Sequence, residues 1–182
     1  RVVRKRAPMP QRLSLTARVV LSTSLILIVV GTAAILLLEF TGALAPAGEV
    51  GPGGRVLAAL FASVNTRTSG FNTVDLVVMK DATLLVMCAL MFIGGSPAST
   101  AGGIKTTTGA VVFATLRGEL RGREPELGGR AIAPEALRKA IAVTSMSLAI
   151  LLTVILLLTL TEDQPFMRLT LEAVSAFATV GL

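Results

Sequence analysis

Two stretches of the chain, Val19–Leu38 and Ala140–Leu160, hold no charged residue. Each is close to the roughly 20 residues that an α-helix needs to cross about 30 Å of hydrocarbon, so both read as membrane spans. A third apolar stretch, Ala82–Leu116, is interrupted by one charge, Lys105, and is far too long for a single straight crossing. Its middle reads "GGSPASTAGGIKTTTG" (94–109), a run of Gly, Ser, Thr and Pro between two apolar halves. Such a break fits a discontinuous span, because irregular backbone is tolerated at membrane depth where it lines a water-filled cavity. It also fits a glycine-rich loop that cradles phosphate, so the pattern alone leaves two readings. A shorter apolar segment, Leu57–Val64 ("LAALFASV"), reaches only partway across at about 1.5 Å per residue.

Charge constrains the topology of these segments. Basic residues cluster at Arg1, Arg4, Lys5, Arg6, Arg12 and Arg18, and again at Arg117, Arg121, Arg123, Arg130, Arg138 and Lys139. Each cluster borders an uncharged stretch, as cytoplasmic flanks do, so the net charge of +6 needs no nucleic-acid partner. If both clusters share one side, an even number of crossings separates them. Val19–Leu38 and the broken Ala82–Leu116 supply two, which makes Leu57–Val64 a re-entrant helix that enters from outside and returns. Residues 118–139, with Gly118, Gly122, Pro125, Gly128 and Gly129 among alternating charges, read as a cytoplasmic linker. Arg1–Arg12 is not followed by the short core and cleavage site of a signal peptide. With no initial Met, the chain is expected to be a piece of a longer protein.

Composition agrees with the pattern: 53% hydrophobic and 15% charged residues place the chain among integral membrane proteins. It has no His, Trp or Tyr and one Cys, Cys88, inside an apolar run. Imidazole acid–base chemistry, a Cys/His zinc site and a disulfide framework are thereby excluded, and Cys88 reads as a small buried apolar side chain.

The chain also repeats itself. "LLLEFT" (36–41) ends the first span and "LLLTLT" (156–161) ends the span after the linker, and a short apolar segment follows each. With Gly70 laid on Gly181, Leu60 meets Leu171, Ala62 meets Ala173 and Thr68 meets Thr179. The order of elements is shared as well. The two segments end in "TSGF" (68–71) and "TVGL" (179–182). Gly at such a turn tolerates φ > 0 and adds no side chain, so successive backbone carbonyls can point at one axis. Rings of carbonyls replace the water shell of a dehydrated cation, and the negative C-terminal end of the preceding half-helix favours a cation at the same place.

In combination, "SVNTRTSGFNTVDL" (63–76), "MFIGGSPASTAGGIKTTT" (91–108) and "AVSAFATVGL" (173–182) resemble the third pore loop, the interrupted third inner helix and the fourth pore loop of the Trk/Ktr/HKT superfamily of potassium transporters. The "GGIKTTT" form is most similar to the Ktr branch, and the resemblance runs from about Leu13 to Leu182. It implies an all-α polytopic membrane protein built of repeated units, each a span, a re-entrant pore helix with its filter loop, and a second span. Residues 1–117 would be the third unit with a basic cytoplasmic N-terminal segment, 118–139 the linker, and 140–182 the first half of the fourth unit. The first two units would lie elsewhere in a longer polypeptide, the alternative being that two such chains pair.

The filter glycines implied by the resemblance are Gly70 and Gly181, with carbonyl donors at Thr68, Ser69, Phe71, Ala178, Thr179 and Val180. An intramembrane gate is expected below them, made of Gly94, Gly95, Ser96, Pro97, Ala98, Ser99, Thr100, Ala101, Gly102 and Gly103, with Lys105 placed to repel cations when closed. The resemblance further implies potassium uptake with sodium as the other candidate cargo, by channel or ion-coupled symport. It implies neither an enzyme nor an organic cofactor. A homodimer in the lipid of a bacterial inner membrane is expected, bound to a cytoplasmic ring of nucleotide-binding regulatory subunits that the basic linker is free to touch.

Other charges have plainer readings. Arg67, directly before the first filter Thr, is expected to anchor the pore helix rather than shape the outer field. Glu172 lies at membrane depth, where a carboxylate is costly unless paired or near water, and is expected to anchor the fourth pore helix behind the filter. Asp75, Lys80 and Asp81 read as solvated charges at the outer entrance of the broken helix. A phosphate loop of the Walker type needs Gly followed directly by Lys, after a buried strand. Here Ile104 separates Gly103 from Lys105, and "LLVMCALMFIGG" (84–95) continues an apolar span. A membrane-anchored ATPase, a non-transporting scaffold with Gly70 and Gly181 as mere turns, and a plain hinge at the break stand as the alternatives.

Overall fold

The computed structural model describes residues 14–44, 51–67, 69–71, 74–97 and 99–182. Of the residues singled out above, the basic cluster from Arg1 to Arg12 and Leu13, Thr68, Asn72 and Ala98 lie outside the described residues.

Helix α1 (Leu15–Glu39) begins where Ser14 Oγ accepts the Ala17 amide at 3.2 Å, satisfying one of the donors that a helix start leaves unpaired. Helix α5 (Pro134–Thr161) begins on a proline, whose missing N–H is no loss at the first helical position. Both are long and apolar enough to cross a membrane. Much of their apolar surface faces outward: Leu37 is 81% exposed and Leu160 75%. Water penalises such surface at about 25 cal/mol per Å², and a helix apolar on every face is at home in lipid. The molecule is a helical membrane protein.

The other helices among the described residues are α2 (Pro52–Asn65), α3 (Asp81–Phe92), α4 (Thr106–Arg121) and α6 (Phe166–Ala178). At 1.5 Å per residue the three shortest reach about 21 Å at most, short of the roughly 30 Å of a bilayer core. Packing joins α1 to α2, α3 and α4, α3 to α6, and α5 to α4 and α6. The core lies where α1, α2, α3 and α6 converge, around Ile35, Ala59, Met87, Met91, Val174 and Ala178, with Cys88 also buried there. Small residues set the helix spacing. A Cβ at Gly31 of α1 would stand 2.5 Å from Ser63 Oγ and 2.7 Å from Leu90 Cδ1, and Ser63 Oγ donates to the Ile28 carbonyl at 3.0 Å. Close approach over small residues with a hydroxyl bond across is how membrane helices hold one another.

Residues 118–139 are more ordered than a linker composition suggests. Helix α4 continues to Arg121 and ends on Gly122 at φ 60, with the Gly122 and Arg123 amides bonded to the Glu119 and Gly118 carbonyls, a left-handed glycine cap. Strands β1 (Glu126–Leu127) and β2 (Arg130–Ala131) then pair antiparallel, Glu126 opposite Ala131 and Leu127 opposite Arg130. Gly128 and Gly129 turn the hairpin, and α5 has already begun at Pro134. The Gly and Pro residues read as linker punctuation are therefore a helix cap, a tight turn and a helix start. Gly128 also lies against Leu15, 2.6 Å from its Cδ1 for a Cβ placed there. The hairpin and the start of α1, which carry the flanks of the two basic clusters, thus share one end of the bundle.

At the opposite end Glu39 closes α1 onto α3. It is fully buried. Its Oε1 accepts the Lys80 amide at 2.8 Å and the Thr83 hydroxyl at 2.6 Å, and its Oε2 accepts the Ala43 amide at 3.0 Å. A carboxylate suits the start of α3, where unpaired N–H groups and the helix dipole are positive. Lys80 is correspondingly not a free charge: its Nζ donates to the Leu38 carbonyl at 2.6 Å. Asp75 accepts the Val77 amide at 2.9 Å, and Asp81 sits in the first turn of α3.

Candidate functional site

Helices α2 and α6 both end in a loop that turns on glycine, Gly70 at φ 68 and Gly181 at φ 86. Only Gly enters this region without a Cβ penalty. A Cβ on Gly70 would stand 2.5 Å from the Val180 carbonyl oxygen and 3.4 Å from that of Gly181. Two loops remote in sequence therefore meet backbone to backbone, each behind the negative end of a helix. Thr179 is also left-handed, at φ 55, which for a β-branched residue costs about 1–3 kcal/mol. Ser69, Phe71, Thr179 and Gly181 are exposed at this junction, Gly70 is half-buried, and Ala178 and Val180 are buried.

Each loop is held from behind by a side chain of its own helix. Asn65, 5% exposed, donates from Nδ2 to the Phe71 carbonyl and accepts the Phe71 amide on Oδ1 at 3.0 Å. Ser175, 2% exposed, accepts both the Gly181 amide at 3.2 Å and the Leu182 amide at 2.9 Å on its single Oγ. Side chains of this type commonly bond backbone a few residues away. The sequence reading passed over both. A polar residue on the buried face of a short apolar helix, a few positions before the loop glycine, was the available signal.

The segment between α3 and α4 closes on itself. Ile93 and Ile104 form a parallel bridge, the Ile104 amide donates to the Phe92 carbonyl at 3.0 Å, and the Thr106 amide to the Gly95 carbonyl at 3.1 Å. Lys105 braces the segment from within, its Nζ donating to the Ala101 carbonyl at 2.8 Å and the Ser99 carbonyl at 3.2 Å. Its ammonium is thus held against its own loop.

This segment reaches the end of α6. The Gly102 amide donates to Thr179 Oγ1 at 2.8 Å and the Gly103 amide to the Phe177 carbonyl at 3.3 Å. Just before the segment, the Phe92 ring stacks on Phe177 with centroids 6.0 Å apart. Arg67, half-buried, donates to the Gly94 carbonyl at 3.4 Å and to the Ser24 carbonyl of α1 at 3.3 Å, which are anchoring contacts. A cleft of about 370 Å³ lies between α1, the first loop and the segment, with Ser24, Arg67, Ser69, Ser96 and Thr100 on its walls. Glu172 stands apart from all this. It is exposed on α6 and makes no side-chain hydrogen bond among the described residues, so the anchoring expected of it is not found there.

Comparison with known proteins gives one family. The TrkH family, described as cation transport protein, matches residues 9–182. Ktr system potassium uptake protein B of Vibrio alginolyticus is 39% identical over 171 residues, which cover 93% of this chain and 37% of the relative. Ktr system potassium uptake protein D of Bacillus subtilis is 41% identical over 125 residues, 68% of this chain and 28% of the relative. Potassium/sodium uptake protein NtpJ of Enterococcus hirae is 32% identical over 177 residues, 94% of this chain and 39% of the relative. The chain spans well under half the length of each of these curated relatives.

Proposed function

Because the chain belongs to the TrkH family of cation transport proteins, we propose that it supplies two carbonyl-lined filter loops, and the intramembrane gate beneath them, to a potassium-uptake transporter. The observation that carries this reading is the meeting of Gly70 with Val180 and Gly181, both glycines left-handed. Backbone carbonyls brought together behind two helix C-termini offer a dehydrated monovalent cation the oxygens it has lost from water. The donors are the carbonyls of residues 68–70 and 178–181; the Phe71 carbonyl, expected among them, is instead taken by Asn65 Nδ2. Asn65 and Ser175 hold the loops in register from behind. Potassium is the cargo that the named relatives favour, with sodium the second candidate because one relative is named for both.

In this reading α1 and α5 each cross the bacterial inner membrane and α2 and α6 enter only partway. Helices α3 and α4 make one broken crossing, with the hairpin end of the bundle cytoplasmic. Residues 1–117 form the third of four span, pore-helix and span units, residues 118–139 the hairpin connection, and residues 140–182 the first half of the fourth. The segment Gly94–Gly103 lies under the filter as a gate. The two relatives named as parts of a Ktr system favour a multi-component assembly, here a homodimer on a ring of nucleotide-binding subunits. Against the phosphate reading of the same segment, Lys105 Nζ faces two carbonyls of its own loop.

Gly70→Ser in the full-length transporter tests the filter. The added side chain meets the Val180 carbonyl in a backbone region that disfavours it. Potassium preference over sodium should fall by about tenfold or more, equivalent to ~1.4 kcal/mol of lost discrimination. Unchanged uptake rate and preference at normal expression would sink the assignment.

A further inference from the structure

The segment Gly94–Gly103 is tied at its two ends to two different loops. At its start the Gly94 carbonyl accepts Arg67 Nη2, and Arg67 follows α2 directly before the first T-x-G loop. At its end the Gly102 amide bonds Thr179 Oγ1 at 2.8 Å, and the Gly103 amide bonds the Phe177 carbonyl, both at the second loop. Around the Thr179 hydroxyl bond, the end contact also brings backbone against backbone. A Cβ at Gly102 would stand 2.6 Å from the Phe177 carbonyl oxygen and 2.8 Å from the Ala178 carbonyl carbon.

Thr179 is the residue on which such a tie acts. Its left-handed conformation, φ 55, persists only where surroundings impose it. On one side the Thr179 and Val180 amides bond the Ala176 and Ser175 carbonyls of α6. On the other side its hydroxyl is engaged by the segment. When the segment moves away, the second restraint goes and the strained peptide has reason to relax. The next carbonyl, that of Val180, is the one that abuts Gly70, so a turn at Thr179 reaches the junction of the two loops.

We infer that Arg67 and Thr179 are positioning residues that couple the segment to the two filter loops, so that displacing the segment loosens the filter and a rise in flux brings a loss of ion selectivity. The inference rests on the reading of Gly94–Gly103 as a gate. Coupling of this kind needs an element with two arrangements that both sites bias. The strained Thr179 peptide supplies it.

A four-protein cycle in the full-length transporter tests the coupling by potassium and sodium uptake: unaltered, Thr179→Val, residues 94–103 removed, and both changes. The removal closes a gap whose flanks, Ile93 and Ile104, are already bridged. Thr179→Val should lower potassium preference severalfold when the segment is present and add nothing when it is absent, because its bonding partner is then gone. Thr179→Ser, which keeps the hydroxyl, should retain the preference. Equal losses in both backgrounds, or no loss in either, would overturn the coupling. Flux unchanged by the removal would instead overturn the gate reading itself, so the two failures are distinct. Should Thr179→Val not reach the membrane, Arg67→Gln enters the same cycle with the same expected non-additivity.

Discussion

The span and half-helix before Gly70 and those before Gly181 reach a glycine turn by different side-chain means. Both half-helices lead into a loop with a left-handed glycine, at φ 68 and φ 86, but α2 is capped by right-handed Thr66 and α6 by left-handed Thr179. The first loop is clasped by a carboxamide that uses both its donor and its acceptor on Phe71, the second by one hydroxyl that accepts two amides. The first is tied outward by the long charged arm of Arg67, the second by the short hydroxyl of Thr179. The span ends differ too. Glu39 in "LLLEFT" binds across to α3, whereas its counterpart Thr159 in "LLLTLT" donates only to the Ile155 carbonyl of its own helix at 2.7 Å. What the two halves share is a left-handed glycine clasped from its own helix, while the caps and the polar groups around it differ.

Four substitutions sharpen that contrast. Glu39→Ala should have the largest effect, since it strands the Lys80 and Ala43 amides and the Thr83 hydroxyl at a buried junction. Each such group costs about 1–3 kcal/mol when left unpaired and shut from water. A clear fall in the denaturation midpoint of the intact protein in detergent is expected, while Thr159→Ala should stay within about 0.5 kcal/mol. Equal responses at the two positions would erase the difference between the span ends. Asn65→Ala comes next, at about 2–3 kcal/mol for two backbone groups released, with loss of potassium preference. Ser175→Ala also releases two backbone amides, but these share one oxygen in weaker bonds, so it should cost about 1–2 kcal/mol, with a smaller loss of preference. A Ser175 effect larger than that of Asn65 would show that the second loop, not the first, is the more dependent on its clasp.

These contrasts follow what sequence can reveal. The spans were legible because apolar runs of the right length have few uses, and α1 and α5 begin and end within a few residues of Val19–Leu38 and Ala140–Leu160 except where α5 extends back to Pro134. The break in Ala82–Leu116 was legible for the same reason, its two halves forming α3 and α4. Gly70 and Gly181 could be picked out because a turn that admits only glycine leaves its mark on composition. Asn65, Ser175 and Glu39 are masked by a hydropathy pattern that assigns polar residues to the surface; Asn65 and Ser175 bond only six or seven residues away, whereas Glu39 is buried on bonds to Lys80 and Thr83 that tertiary structure brings together. The hairpin at 126–131 hid in a charged, glycine-rich stretch whose turn glycines look like those of any loop. The tie from Gly102 to Thr179 joins residues too far apart in the chain for any local pattern to register.

The most direct test of the filter is anomalous scattering from rubidium or thallium bound to the intact transporter. The account predicts density between the two loops, in contact with carbonyls of residues 68–70 and 178–181. Density confined to the cleft at Arg67 or absent from the loop junction, in a protein that still transports the ion, would contradict it.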